Sequence, residues 1–435
     1  MQQQPHELGR ELRRLRLAAG LTLEQLAAVV HYSKGQLSKV ERGIKTPSRE
    51  LGRLCDAALG TNGELSALLP KQPPVKSEVA ASPEEEVWSM QLSPEGSSWF
   101  RPVGRREVVA AGVGSALGLS LGMSRSPTSG EAAAVLEASA AMFAHYRSLG
   151  QSVGPALLLP TLIAQTHTLR ELAASAEPRT RQGLLRLGSR YAEYIGWLVQ
   201  ETGNEEAALW WTQRAVSMAE GGGDHDLAAY ALVRRALVTL YREDAEQTVA
   251  LAQQAQSSGL PPRIRGLAAQ REAQGHAIAG DYDASMRCLD RAGSLLARET
   301  PAESGPLLGT THLPDPVAMI RGWCLHDLGR SGAAARTMDE QLDQVSPLAL
   351  RTQARYGVRR ALAHATAGEI DHACALTRAL LAALTTVDSA TITADLHKLA
   401  RVLTRHSRNA SVRELMPDLG MSLHLGTPSR GPSHD

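Results

Sequence analysis

The sequence predicts an all-α protein with an N-terminal five-helix domain and a C-terminal α-solenoid of helical hairpins. Hydrophobic residues make up 43% of the 435 residues, but aromatic residues only 4%. That mixture is typical of stacked helices rich in alanine and leucine, because β-sandwiches are filled by aromatic and β-branched residues. Glycine turns also recur between apolar helical segments, and the length exceeds what one hydrophobic core usually organises.

The basic charge is concentrated at the N-terminus. The whole chain carries 46 Lys and Arg against 45 Asp and Glu, which excludes a protein that coats nucleic acid through uniform basicity. Residues 1–69 nevertheless hold ten basic and seven acidic residues. Any nucleic-acid contact is therefore expected to be local.

Cysteine usage and the N-terminal residues predict a cytoplasmic protein. The four cysteines stand far apart and form no CxxC pair, so neither disulfides nor a cysteine zinc site is predicted. The first residues lead into charged helical sequence without the apolar core of a secretory signal. We therefore expect neither export nor a membrane role.

Residues 1–69 predict five short helices. Two of them begin at capping boxes, in which a hydroxyl and an amide side chain satisfy backbone N–H groups: Thr22 with Gln25, and Ser33 with Gln36. Three glycines are expected to end helices: Gly20, Gly43 and Gly60. The fourth helix is predicted to start at Thr46-Pro47, with proline at the first helical position, and a short fifth helix spans 62–69.

The run LTLEQLAAVVHYSKGQLSKVERG, residues 21–43, resembles the helix-turn-helix of the Xre/phage-repressor family, and the resemblance covers residues 6–69. It implies that residues 33–42 form the recognition helix in the DNA major groove. Two positions depart from the pattern, since Leu23 replaces a polar contact residue and Gly35 occupies an early recognition-helix site.

The DNA-binding residues implied by this resemblance have two roles. Lys and Gln side chains can read guanine and adenine edges, while Arg42 and Lys45 are expected to hold phosphates. An alternative for Gln36 is that it only caps its helix. The full set of candidates is Thr22, Gln25, Ser33, Lys34, Gln36, Lys39, Arg42 and Lys45.

Three segments outside the two main domains have distinct compositions. Residues 70–104 are rich in proline and acidic residues and predict a linker. Residues 105–128 predict a glycine-rich apolar connecting helix, in which glycines four residues apart form a smooth face: Gly114, Gly118 and Gly122. This helix is suited to packing, to self-association or, less well, to a membrane. Residues 426–435 predict a disordered tail.

Five turns separate apolar helices in the second half of the chain. Four contain glycine and the fifth is aligned on leucine: Gly203, Leu240, Gly280, Gly329 and Gly368. A small residue follows each of these anchors by five positions, which allows two antiparallel helices to approach closely. Because one hairpin cannot bury its apolar face alone, the hairpins are expected to stack.

This spacing resembles degenerate tetratricopeptide repeats over residues 180–385, and predicts a solenoid over 129–425. Helices at 131–149 and 157–176 are expected to begin the stack, and residues 392–406 to cap it. The insert at 300–316 either covers the concave face or is a solvated connection, and we favour the connection.

The repeat family binds peptides in a concave groove lined by the first helix of each hairpin. Carried over by position, its ligand-binding residues are Arg190, Glu193, Trp197, Gln200, Tyr230, Arg234, Gln270, Gln274, Trp323, His326 and Arg355. Arg and Gln suit a peptide backbone or carboxylate, and Trp and Tyr suit apolar groups. An alternative for Trp197 and Trp323 is a packing role.

Catalytic motifs are not found in the sequence. There is no HExxH, P-loop or GxSxG motif, and the run GGGDHD at 221–226 predicts a connecting loop because no strand precedes it. We therefore expect no enzyme, no cofactor and no metal.

The combined architecture resembles that of bacterial regulators that join DNA binding to peptide-pheromone sensing. In its composition, the chain resembles actinobacterial regulators of this architecture. It implies a sequence-specific transcriptional regulator that acts as a homodimer on double-stranded DNA and binds a peptide or small-molecule signal. The alternative is a DNA-bound adaptor whose solenoid recruits a protein partner without a diffusible ligand.

Overall fold

A computed structural model describes residues 4–69, 87–92, 98–103, 128–298 and 308–425. Most of these residues are helical, which confirms the all-α fold class. The predicted glycine-rich helix, up to residue 127, and the predicted tail at 426–435 lie outside the described residues.

The N-terminal domain consists of five helices around a core of leucine side chains. Leu26, Leu37 and Leu65 are completely buried in this core. The helices are α1 (Gln4–Ala18), α2 (Leu23–Val29), α3 (Lys34–Glu41), α4 (Arg49–Leu59) and α5 (Glu64–Ala67).

The capping boxes predicted for α2 and α3 are not equivalent. Both reciprocal hydrogen bonds of the Thr22 box are present. At α3, Ser33 accepts from the Gln36 backbone N–H, but the reciprocal side-chain bond is not formed. The cap is therefore carried by Ser33, and the Gln36 side chain does not contribute to it.

The predicted start of α4 at Thr46-Pro47 was wrong. The helix begins at Arg49, because Ser48 is the N-cap residue and its hydroxyl accepts from the Leu51 N–H at 3.2 Å. Proline at the first helical position was a weaker signal than the adjacent serine, which satisfies a backbone donor.

A two-stranded hairpin lies within the segment predicted as a linker. Strands β1 (Val87–Leu92) and β2 (Ser98–Val103) pair antiparallel, with Met90 opposite Phe100. The sequence analysis found no sustained period there and did not predict these strands.

The C-terminal part is a stack of antiparallel helices joined by short turns. Its seven pairs of consecutive helices are α6 (Ser129–Leu149) and α7 (Pro155–Ser175), α8 (Pro178–Glu201) and α9 (Glu205–Gly221), α10 (Asp226–Tyr241) and α11 (Ala245–Gln254), α12 (Pro262–Ala279) and α13 (Tyr282–Leu296), α14 (Pro316–Asp327) and α15 (Ser331–Leu342), α16 (Leu350–Thr366) and α17 (Ile370–Val387), and α18 (Ala390–Thr404) and α19 (Ala410–Leu425).

Left-handed residues mark the turn of each of the five central hairpins. Four are the predicted glycines, with φ between +78° and +90°. In the remaining hairpin the left-handed residue is Glu243, with φ of +57°, so the alignment on Leu240 was displaced by three residues. In the corrected register Ala236 lies seven residues before the turn, where the other hairpins also have Gly or Ala.

The end of the stack extends beyond the predicted cap. Residues 392–406 correspond to α18, and α19 follows it and buries Leu415 and Leu419. The capping prediction was therefore one helix short. In the described part of the chain, α17 has the length and hydropathy of a membrane span, but it packs against α16 and α19 within the stack.

Candidate DNA-binding surface and ligand cavity

Helix α3 is held in the N-terminal domain by its apolar side. Leu37 and Val40 are buried, while Ser33, Lys34 and Lys39 are exposed. Of the other implied DNA contacts, Arg42 and Lys45 are exposed just beyond α3, and the Gln36 side chain is half-buried.

A buried ion pair positions α3 against α1. Nε and Nη2 of Arg16 donate to the two oxygens of the Glu41 carboxylate, at 2.6 and 2.9 Å, and Nη1 donates to the Leu21 carbonyl. The hydrogen bond to Glu41 raises the Arg16 pKa. Glu41 was identified only as part of a motif. In the structure its carboxylate joins the end of α3 to the end of α1.

Gly9 allows α1 and α3 to approach closely. A Cβ at this position would lie 2.3 Å from the Val40 carbonyl oxygen, a distance that no real side chain tolerates. The sequence analysis did not single out Gly9, because a glycine inside a helix carries no local signal of the contact it makes.

Thr22 and Gln25 are exposed, but their polar groups are already used. The Thr22 backbone N–H donates to the Gln25 side chain at 2.8 Å, and the Gln25 N–H donates to the Thr22 hydroxyl at 3.1 Å. Lys34 is also paired, with Glu24 at 3.1 Å, in an arrangement exposed to solvent. Such a pair contributes little to stability and is readily exchanged for a phosphate or a base.

The N-terminal domain packs on the row of turns of the repeats. A Cβ on Gly280 would touch Gly63, and one on Gly368 would touch the ring of His31. The Arg49 side chain meets the Glu243 carbonyl at 3.5 Å. Contacts therefore involve the α2–α3 turn, α4 and the α4–α5 turn, and they leave the exposed side of α3 uncovered by the described residues.

Charged side chains reinforce this interface. Arg405, which ends α18, bonds Glu50 at 2.7 Å and lies over the Tyr32 ring at 4.6 Å. Burial raises the pKa of Glu50, but the Arg405 guanidinium outweighs burial and holds that pKa below its usual value. Lys398 pairs with Glu243, next to the Arg49 contact.

A cavity of about 150 Å³ lies on the inner side of the repeats. It is lined by the first helices of the five central hairpins, with Phe143 and Arg147 from α6. Seven of the residues suggested as ligand contacts line it: Arg190, Glu193, Trp197, Tyr230, Arg234, Gln270 and Arg355.

The other four candidates lie beside the cavity rather than on it. Gln200 accepts from Arg234, and Gln274 accepts from Arg271. Trp323 is buried between Tyr241 and Tyr356, with the Arg359 guanidinium over its ring, which matches the packing alternative. Burial, opposed by Asp327 and assisted by Arg53 of the N-terminal domain, lowers the pKa of His326 to about 4.

The corrected turn register explains which positions face the cavity. The residue thirteen positions before the left-handed turn lines the cavity in all five hairpins: Arg190, Tyr230, Leu267, Pro316 and Arg355. The residue nine positions before the turn does so in four: Tyr194, Arg234, Arg271 and Ile320. Arg271 was missed because the candidates carried over from the family lie ten, six or three positions before each predicted turn, or thirteen for Arg190 and Arg355, whereas Arg271 lies nine before Gly280.

The described part of the insert, residues 308–316, covers the cavity, so the preferred interpretation as a solvated connection was wrong. Leu308, Gly309 and Leu313 line the cavity. Arginine side chains hold the insert in place: Arg263 donates to the Leu308 carbonyl at 2.6 Å, and Arg147 donates to the Gly309 carbonyl at 2.7 Å. Sequence composition could not distinguish a cover from a solvated loop.

Glu201 anchors two of the arginines that line the cavity. Its carboxylate is buried, and it bonds Arg351 at 3.2 Å, Arg355, and the hydroxyls of Ser389 and Thr391. Burial raises the pKa of Glu201, but Arg355 and Arg351 outweigh burial and lower it, so the group is ionised. The sequence analysis missed Glu201, which immediately precedes a turn.

Glu272, His276 and Cys288 offer three ligand atoms within 4.8 Å of one another. However, the Arg291 guanidinium bonds Glu272 and approaches the Cys288 sulfur at 3.4 Å. Gln253 and Gln256 also donate to the Glu272 carboxylate. The Arg291 guanidinium therefore already supplies the positive charge that these groups attract, and the arrangement is an ion-pair cluster.

A family model described as a helix-turn-helix domain matches residues 7–69. No curated protein matches the chain, and no solved structure does so either. The matched residues coincide with α1–α5, including the exposed α3. The N-terminal unit is a helix-turn-helix DNA-binding domain, and the protein is a DNA-binding regulator.

Proposed function

We propose that this protein is a transcriptional regulator that recognises a specific sequence of double-stranded DNA through α3. The observation that carries the proposal is the exposure of Ser33, Lys34 and Lys39 on a helix whose opposite side is buried. The lysines suit guanine edges and phosphates, and Arg42 and Lys45 extend the basic surface toward the backbone.

The proposal includes a homodimer on a two-fold DNA site. One recognition helix spans only a few base pairs, so two copies are needed for a site that is rare in a genome. The start of the repeat stack exposes Leu149 and Leu157, which supports a dimer contact through the solenoid.

The proposal also assigns the repeats to signal sensing. It is supported by the cavity, whose lining combines aromatic and aliphatic side chains with a few polar and charged groups, as is typical of a ligand site. A ligand there would change how the hairpins stack, and the N-terminal domain rests on their turns. The binding of a ligand would therefore change the relative positions of two recognition helices and so the DNA affinity.

Sequencing of the genomic fragments that the full-length protein retains tests the DNA-binding proposal. The wild type should enrich a shared inverted repeat, and the variant K34A/K39A should lose that enrichment. The matched control is R287A/R336A, which removes two exposed positive charges from the repeats and should retain the wild-type site.

Repeating the selection with a small-molecule extract of host culture separates the two functions. A change in the occupancy of the same site supports sensing. Occupancy that does not change supports the adaptor, in which the solenoid recruits a protein partner. Equal enrichment by K34A/K39A and the wild type would contradict recognition through α3.

A further inference from the structure

The cavity in the repeats carries an excess of positive charge. Its lining includes six arginines: Arg147, Arg190, Arg234, Arg271, Arg351 and Arg355. The carboxylates that pair with them among the described residues are three: Glu193 with Arg234, Asp224 with Arg190, and Glu201 with Arg351 and Arg355. These four arginines carry four positive charges against the three negative charges of their partners, and Arg271 adds a further positive charge.

Arg271 differs from the four arginines of these ion pairs, because no described carboxylate forms an ion pair with it. It donates to the Gln274 side chain, and its surroundings include the hydroxyls of Tyr230, Tyr241 and Tyr356. Burial lowers the pKa of Arg271 accordingly. A partly buried cation without a counter-charge is costly for a folded protein, and an anion in the cavity would offset that cost.

The unpartnered side-chain atoms of the lining are hydrogen-bond donors. The Gln270 side chain is buried, with an exposed fraction of only 2%, and its Nε2 has no acceptor. The same holds for Nε of Arg271 and for one terminal nitrogen of Arg190. Buried donors are normally satisfied, so this lining lacks acceptor atoms that a bound molecule would supply.

The rest of the lining is apolar and aromatic. Phe143, Trp197, Leu267 and Ile320 face the same space, and the insert closes it through Leu308 and Leu313. An apolar cavity of about this volume is large enough to hold benzene. The space therefore suits one ring or a short aliphatic chain, and it is too small for an extended peptide of several residues.

We propose that the cavity binds a small organic anion whose acidic group lies among Arg271, Arg234 and Gln270 and whose apolar body contacts Trp197 and Leu267. The acidic group is a carboxylate or a phosphate, since both supply the oxygen acceptors that the donors lack. This inference rests on the proposed sensing function and specifies the class of its ligand.

Ligand-observed NMR and calorimetry of the full-length protein with three probes test the proposal. Benzoate and phenyl phosphate carry the two acidic groups on the same ring, and benzamide is the uncharged analogue of benzoate. At least one of the two anions should bind with at least about tenfold higher affinity than benzamide, because charge-assisted hydrogen bonds are lost with the neutral probe. The better anion identifies the acidic group.

The variant R271Q tests the role of the uncompensated cation. It should lower the affinity for the better anion by about tenfold and leave the affinity for benzamide unchanged. It should also melt no lower than the wild type, since it removes a charge that lacks a counter-charge. The matched control R287Q changes an exposed arginine outside the cavity and should bind the anion as the wild type does.

Three outcomes would overturn the proposal: equal binding of benzoate, phenyl phosphate and benzamide, no binding of any probe, or unchanged anion affinity in R271Q. DNA affinity is measured separately, with and without the bound anion. Anion binding that leaves DNA affinity unchanged would uphold this site and contradict the sensing function instead.

Discussion

The Arg405 guanidinium bonds the Glu50 carboxylate at 2.7 Å, which joins the end of α18 to α4, the helix that follows α3. Arg405 also covers the Tyr32 ring, in the turn that leads into α3. The last repeats therefore contact the DNA-binding domain within a few residues of α3. This contact therefore links the repeats to the N-terminal domain close to α3.

Reversing one charge of this pair should loosen the N-terminal domain. In R405E, amide hydrogens of α4 should exchange faster, because Glu50 then faces a like charge and Tyr32 loses its cation. The charge swap E50R/R405E should restore most of the protection. Exchange rates in α4 that are equal in R405E and the wild type would show that the pair does not hold the domain.

Gly9 should be essential for the packing of α1 against α3. G9A forces a Cβ to within 2.3 Å of the Val40 carbonyl, so the two helices must separate. We expect a loss of stability of about 1–3 kcal/mol, measured by thermal unfolding of the full-length protein. G35A is the control: no atom lies within 4 Å of its added Cβ, and it should be neutral or slightly stabilising. Equal melting of the two variants would refute the close approach.

Removing the Glu201 carboxylate should destabilise the repeats strongly. E201Q leaves Arg351 and Arg355 buried without their counter-charge, a change that costs about 3–5 kcal/mol. The control E205Q breaks a more exposed pair with Arg242 and should cost less than about 1 kcal/mol. A small effect of E201Q on thermal unfolding would mean that the two arginines find other partners.

Glu272 should make the stability of α11–α13 depend on pH. Burial raises its pKa, but hydrogen bonds from His276, Gln256 and Gln253 and the charge of Arg291 lower it to about 2, from 4.5. Because the folded-state pKa is the lower one, this stabilisation is complete above pH 4.5 and is lost as the pH falls toward 2.

Comparison of E272Q with the wild type measures this dependence. The two should differ at neutral pH by on the order of 2–3 kcal/mol, and the difference should shrink below pH 4.5. E340Q, which changes an exposed glutamate on α15, controls for the general effect of acid. A difference that stays constant down to pH 2 would contradict the assigned cause.

Local signals in the sequence were sufficient for most of the N-terminal domain. The Thr22 capping box depends on residues close in the chain, and it was predicted correctly. The approach of Gly9 to Val40 and the pair of Arg16 with Glu41 depend on tertiary contacts, which no local pattern indicates.

The repeats were predicted as hairpins because glycine turns recur, and the register failed where the turn lacks glycine. Glu243 adopts the left-handed conformation without the usual sequence signal. Arg271 was concealed by the choice of groove positions, since its own turn at Gly280 was placed correctly. The covering role of the insert was also hidden, since the arginines that hold it lie on α6 and α12, far away in sequence.

The most direct test of DNA recognition is the affinity of the full-length protein for its selected duplex and for a scrambled duplex, measured by anisotropy over a range of salt concentrations. K34A/K39A should reduce the preference for the selected duplex. R42A/K45A should weaken binding to both duplexes alike. It should also reduce the slope of log affinity against log salt by about 4, because each protomer of the dimer loses two phosphate contacts. Wild-type affinity and preference in K34A/K39A would contradict the assignment of α3 as the recognition helix.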